Sequence, residues 1–280
     1  MRRFLLAVLF AALAQLPALA DDAANPAGEL QKLAWQRGPA QGAIAGKAAI
    51  EIPKGFAFLD EANTRRFLEI AGNPPSDGNY MLAPEDLHWF AVFSFDATGY
   101  VKDDEKIDPE ALLSGLKEGD TASNEERKRL GMHAIFTDGW QVAPHYDALT
   151  KRLEWGVRLR DDQNQLNVNY STRILGRNGV MRAVLVSAPD TLEADTKAFK
   201  SALADFNYNP GEAYAEFRQG DKVAEYGLAA LVLGGAAAVA TKKGLWTLLA
   251  GGLAAFWKVL VGIGIAAAAG IKRFFSRKAP

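Results

Sequence analysis

Arg152-Leu153-Glu154-Trp155-Gly156-Val157-Arg158-Leu159-Arg160 decides the fold class. Leu153, Trp155, Val157 and Leu159 occupy every second position, with charged residues or glycine between them. Side chains alternate across a strand, so one face is core and the other is wet. Asp161-Asp162-Gln163-Asn164 turns the chain, and Leu166, Val168 and Tyr170 resume the alternation against Asn167, Asn169 and Ser171. Gly176-Arg177-Asn178-Gly179 turns it again into Val180 to Ser187. Strands joined by turns this short pair antiparallel, because a parallel pair needs a crossover of a dozen residues or more. Residues 152–187 therefore form a meander.

The flanking sequence alternates between strand and helix periods. Asp190-Thr191-Leu192-Glu193 opens a helix that groups Leu192, Phe199, Leu203 and Phe206 on one face, and Asn209-Pro210-Gly211 closes it. This helix is expected to cover one side of the meander. Upstream, Ala49 to Ile52 and Phe56 to Leu59 read as short strands. Asp60 caps a helix that runs to Ala71, with Phe67, Leu68 and Ile70 inward, before Asn73-Pro74-Pro75. Leu87 to Phe95 reads as an interior strand. Asp108-Pro109 starts a helix with Leu112, Leu113 and Leu116 on its core face, and Ser123-Asn124-Glu125-Glu126 matches a capping box for another. The expected class is α+β: an antiparallel sheet of three clear strands plus others, covered by helices and followed by C-terminal apolar transmembrane helices.

Charge is divided along the chain. The net of -1 over 280 residues combines two Arg and no acid in 1–20, an excess of ten acids in 21–221, and an excess of seven basic residues in 222–280. An acidic middle argues against nucleic acid, which draws its affinity from Lys and Arg. Basic ends beside apolar runs suit anionic lipid. The absence of cysteine excludes disulfides, thiolate metal sites and a Cys nucleophile.

Met1-Arg2-Arg3, the apolar run Phe4 to Leu16 and Ala18-Leu19-Ala20 read as a signal peptide cleaved after Ala20. A helix of that run spans only about 20 Å, short of a hydrocarbon core of about 30 Å. At the other end, Val223 to Ala240 and Leu245 to Ile271 are apolar on every face, separated by Lys242-Lys243. The expected division is signal peptide 1–20, leader 21–28, folded domain 29–212, juxtamembrane linker 213–222, apolar helices 223–241 and 244–272, and basic tail 273–280. Two topologies compete. A single crossing by the second run satisfies the positive-inside rule but places Lys258 at mid-bilayer. A hairpin of both runs brings Lys258 beside Glu225 near the interface, and is favoured. Ala230, Gly234 and Ala238, with Gly262, Ala266 and Gly270, would supply small-residue packing between the two helices.

Several strings are familiar. They are Ile52-Pro53-Lys54-Gly55-Phe56 with Phe58-Leu59-Asp60, Gly99-Tyr100-Val101-Lys102-Asp103-Asp104, Gly139-Trp140 with Pro144-His145-Tyr146-Asp147, and Gly220-Asp221-Lys222-Val223 leading into Tyr226-Gly227-Leu228. Together they resemble the bacterial membrane-anchored proteins grouped as domain of unknown function 2167, over nearly the whole mature chain. The resemblance implies a signal peptide, an extracytoplasmic domain and C-terminal membrane segments. It implies no catalytic residues.

Among candidate sites, His133, Asp138, Trp140, His145 and Asp147 fall close in sequence, and His133, His145 and Asp147 could hold a metal if they converge. Turn and strand-end roles explain them equally well. His88 reads as a strand residue with a satisfied hydrogen bond. Asp103-Asp104-Glu105 with Asp108 lacks the alternating calcium-loop spacing and reads as a solvated turn. Arg152, Arg158 and Arg160, with Arg173 and Arg182 on neighbouring strands, form either a basic patch for carboxylate or phosphate or, as preferred, cross-strand pairs with Glu154 and Asp161. No G-x-S-x-G, H-E-x-x-H, Walker or dinucleotide motif occurs.

The favoured reading is a non-catalytic binding or scaffold protein at the inner membrane, with its folded domain in the periplasm. It requires no cofactor. Its expected partners are membrane lipid and a protein, or itself through the apolar helices. One alternative is a tethered hydrolase or metal-dependent enzyme using His133, His145 and Asp147. Another makes the C-terminal hairpin the active part.

Overall fold

The computed structural model describes residues 26–234 apart from 72, 74, 130 and 132. Its strands are β1 (Gln36–Arg37), β2 (Ala40–Ile44), β3 (Ala48–Ile52), β4 (Phe56–Leu59), β5 (Tyr80–Pro84), β6 (Phe90–Asp96), β7 (Ile135–Asp147), β8 (Arg152–Asp161), β9 (Leu166–Leu175), β10 (Val180–Ser187) and β11 (Phe206–Tyr208). The helices are α1 (Pro26–Gln31), α2 (Glu61–Ile70), α3 (Pro109–Arg129), α4 (Leu192–Leu203) and α5 (Leu228–Val232), with a 3-10 turn at Tyr214–Glu216. An eight-stranded sheet runs β1-β4-β5-β6-β10-β9-β8-β7, and a three-stranded sheet runs β11-β3-β2. Every strand pairing within them is antiparallel, the meander β8-β9-β10 included.

The expected α+β class is corrected to a mostly β architecture. Two antiparallel sheets form the body, and only α3, with 21 residues, and α4, with 12, exceed ten. Among the described residues no helix is long and apolar enough to cross a membrane. The stretch 235–280, with Ala238, Lys258, Gly262, Ala266 and Gly270, lies outside them, as does the expected signal peptide 1–20 with Ala18 and Ala20. The sequence reading places no strand at β1, β2, β5, β7 or β11. In β7 the register against β8 shifts at Thr137/Gly139, Trp140/Val142 and Val142/His145, so its period of two is broken and its sequence resembles a loop.

Three apolar clusters hold the layers together. On one face of the large sheet, Leu82, Ala91, Phe93, Tyr170, Met181 and Leu185 pack on Ile44, Ile50 and Ile52 of the small sheet and on Phe199 and Leu203 of α4. Phe206, expected on α4, sits instead in β11 opposite Ile50. On the other face, α1 and α2 cover Leu59, Met81, Phe90, Val92 and Val184 through Leu30, Phe67 and Leu68. At the far end of that face, Leu112 of α3 and Leu228, Leu231 and Val232 of α5 cover Leu153, Trp155, Val157 and Leu159.

Three boundaries differ from expectation. The capping box at Ser123 starts no new helix, because α3 continues through it. Its polar side chains face the open edge of β7: Asn124 exchanges two hydrogen bonds of 2.8 Å with the Ile135 backbone, and Asp120 accepts from Thr137 N at 2.7 Å. An edge strand's free donors are thereby taken up. Pro26 to Gly28, expected as leader, form the first turn of α1. The expected linker 213–222 is packed: Tyr214 is buried and Arg177 holds Asp221 in a two-point ion pair at 2.7 and 2.8 Å.

Candidate functional site

The residues named for a metal site do not converge. His133, two residues before β7, and His145, within it, lie beside Asp162 and Glu154, eight positions apart on the adjacent segment, on the order of 25 Å at about 3.3 Å per residue. His133 Nδ1 meets Asp162 at 3.1 Å, whereas Asp147 is spent on its own turn, accepting from Leu149 N at 2.9 Å and Thr150 Oγ1 at 2.8 Å. Those bonds hold the Asp147 carboxyl below its ordinary value. Among the described residues no group of three His, Asp or Glu is placed to hold a metal. His88 is a turn residue, not a strand residue, with its ring between Asp86 and Asp195. The acidic run at 103–108 is engaged, not merely solvated. Asp103 takes Lys151 and Tyr146 at 2.8 Å each, Glu105 accepts from Ala229 N at the start of α5 at 2.9 Å, and Asp108 caps α3.

The arginine stripe splits between the two faces of the sheet. Arg158 and Arg160 pair with Asp138, at 3.4 and 3.5 Å, not with Glu154 or Asp161. Asp161 instead accepts from the backbone of Gln163 and Gln165 in its own turn. Glu154, on the α4 side, anchors a buried polar cluster: Tyr170 Oη donates to it at 2.9 Å, Lys200 Nζ lies at 2.7 Å and His145 Nε2 at 3.4 Å. Burial and the Glu154 charge push the Tyr170 phenol far above its ordinary value. This cluster ties Lys200 of α4 to the sheet and is fully paired.

Arg173 and Arg182 sit on the opposite face. The register pairs Arg182 with Arg173 on one side and with Ser94 on the other. Directly opposed like charges are unfavourable in a sheet. Arg182 Nη1 reaches Asp96 at 3.1 and 3.3 Å. Arg173 is 6% exposed and lies on the Trp155 ring at 4.8 Å. Among the described residues its one hydrogen bond runs from Nη1 to the Thr172 carbonyl at 3.3 Å, and it makes no ion pair. Burial first, then the neighbouring Arg182, pushes its guanidinium down to about 9. A buried guanidinium without an ion pair thus lies beside a part-buried one that already holds Asp96. The same face carries buried Ser171 and Asn169, and Asn169 Nδ2 has no partner among the described residues.

The seam arises from register. Trp155 pairs with Ser171 and Leu153 with Arg173, so the apolar stripe of β8 shares its face with the polar stripe of β9. The helices that cover Leu153 and Trp155 bury Arg173 with them. The match to the family described as Protein of unknown function (DUF2167) runs over residues 36–269, most of the chain. The chain belongs to the DUF2167 family. In this DUF2167 protein the matched span contains both polar clusters and α5. Among curated proteins, none matches the chain. A solved structure similar to it is the solution structure of cyanobacterial PsbP (CyanoP) from Synechocystis sp. PCC 6803, at 8% identity and a TM-score of 0.37, over 61% of this chain and 92% of that one. Asp96, Tyr226 and Lys200 escaped the sequence reading because they reach their clusters from β6, from the segment before α5 and from α4, far away in sequence.

Proposed function

We propose that this DUF2167 protein is a non-catalytic binding module of the bacterial envelope, with its folded domain on the periplasmic side and its apolar C-terminal sequence holding it at the inner membrane. The single observation that supports this most is the packing of α5. Leu228, Leu231 and Val232 are buried with Val101, Leu112 and Tyr214, so the chain enters its apolar C-terminal sequence from the body of the domain, without a loose linker. Small residues expected to line one continuous helix are divided here: Gly234, at φ 109, follows the last turn of α5, and Glu225 before it is exposed. The signal-like Met1 to Ala20 and the basic residues after Lys242 are the sequence support for export and for contact with anionic lipid. Alkaline carbonate extraction of cells tests attachment. The full chain is expected in the membrane pellet and a chain ending at Gly234 in the extract; recovery of both in the extract would contradict the proposal.

A further inference from the structure

We propose that Arg173 and Arg182 form a binding site for an oxyanion of the phosphate class, entered beside Asp96. A buried ion pair used only as a structural lock balances its charges, because an uncompensated buried ion carries a large desolvation cost. Here two guanidinium groups in direct cross-strand register meet one carboxylate, Asp96, which Arg182 already occupies through Nη1. Arg173 is left with one long local hydrogen bond and the face of Trp155. A guanidinium carries five donors in a planar fork that matches phosphate and carboxylate oxygens. Stacking on an aromatic ring leaves the edge of that fork, where the donors lie, for a ligand. Asn169 adds a buried amide nitrogen, Nδ2, on the same face of β9, two alternations along, with no hydrogen-bond partner among the described residues.

Access and charge agree with this assignment. The Asp96 side chain is 39% exposed and that of Arg182 is 17% exposed, so the seam opens at the β6 end and closes toward Trp155. Arg173 carries one positive charge with no ion pair among the described residues, which a phosphodiester or a singly ionised phosphate would neutralise. A lipid headgroup and free phosphate share that chemistry. The site makes no use of where the domain is located, so it stands or falls separately from the envelope reading.

The test uses the full chain in detergent and follows its thermal midpoint during titration with inorganic phosphate, with sodium chloride at equal ionic strength as control. For the unaltered protein a saturable rise is expected, roughly 5–10 °C once phosphate stands about 100-fold above its Kd. Arg173→Met is expected to abolish that rise while leaving the phosphate-free midpoint unchanged or higher, since it removes an unbalanced buried charge. Arg173→Lys, which keeps the charge and loses the fork, is expected to retain only a small part of it. A second arm compares nanodiscs of phosphatidylglycerol and of phosphatidylcholine by the NMR signal of the Arg173 Nε–H group. A shift with phosphatidylglycerol alone, without a response to inorganic phosphate, identifies a lipid headgroup; a response to inorganic phosphate identifies a free ligand. If Arg173→Met fails to fold, these two arms on the unaltered protein decide by themselves. A phosphate effect no larger than that of chloride together with an unmoved Nε–H signal would overturn the proposal, as would a phosphate effect that persists in Arg173→Met.

Discussion

Replacing Leu231 with alanine separates a residue of the domain core from the start of a lipid-facing segment. Leu231 is 3% exposed, and its neighbours Leu228, Val232, Val101 and Leu112 belong to the same buried cluster. Burying a leucine side chain contributes about 1.5–3 kcal/mol, and the cavity left by truncation raises the measured loss to about 2–5 kcal/mol. The helix α5 has five residues and lies at the margin of the domain, where neighbours can relax into the gap, so the lower part of the range applies: about 2–3 kcal/mol. For a domain of this size that corresponds to roughly 5–10 °C in the unfolding midpoint. Near-ultraviolet circular dichroism of the full chain in detergent reads the transition, with Leu149→Ala, at a side chain 95% exposed, as the reference. A Leu231→Ala midpoint within about 1 °C of the reference would show that α5 contributes nothing to the fold, and would refute the packing of α5 against the domain.

Other substitutions probe the remaining joints. A Cβ at Gly179 would lie 2.1 Å from the Asp96 carbonyl oxygen, so Gly179→Ala should separate β6 from the β9–β10 turn and lower stability by about 1–3 kcal/mol or more in urea denaturation. Glu154→Ala leaves the buried Tyr170 hydroxyl without its acceptor and Lys200 without its partner; a loss of about 1–3 kcal/mol is expected in the same assay, and no loss would show that the cluster is ornamental. Asp221, held at about 2 by Arg177 and the Arg218 amide, has its folded value depressed below the ordinary 3.8. Its stabilising effect is therefore complete above 3.8 and lost as pH falls through about 2. Asp221→Asn should flatten the acid-induced fall in stability across that window, and an unchanged pH profile would count against the ion pair.

The meander was legible because β8 and β9 alternate cleanly and the turns at 161–164 and 176–179 are short. The α2 cap at Asp60 and the start of α3 at Asp108 were equally plain, each a carboxylate accepting from the first helical turn. What alternation within a strand cannot say is which stripe shares a face with which. Leu153 and Trp155 look like core, and Ser171 and Arg173 look like surface, yet the register sets them side by side under α3 and α5. Hydropathy likewise could not show that Leu228, Leu231 and Val232, at the head of an apolar run, fill a protein core. His133 and His145 are close in sequence, but the strand that begins at Ile135 and carries His145 sets them far apart.

The location of the domain is tested most directly by one labelling experiment. The chain has no native cysteine, and Leu149 stands at the tip of the β7–β8 turn, where a cysteine disturbs no contact of the core. In spheroplasts carrying Leu149→Cys, a membrane-impermeant maleimide added outside is expected to label the protein fully without lysis. Labelling that appears only after lysis would place the folded domain in the cytoplasm and contradict the proposed orientation.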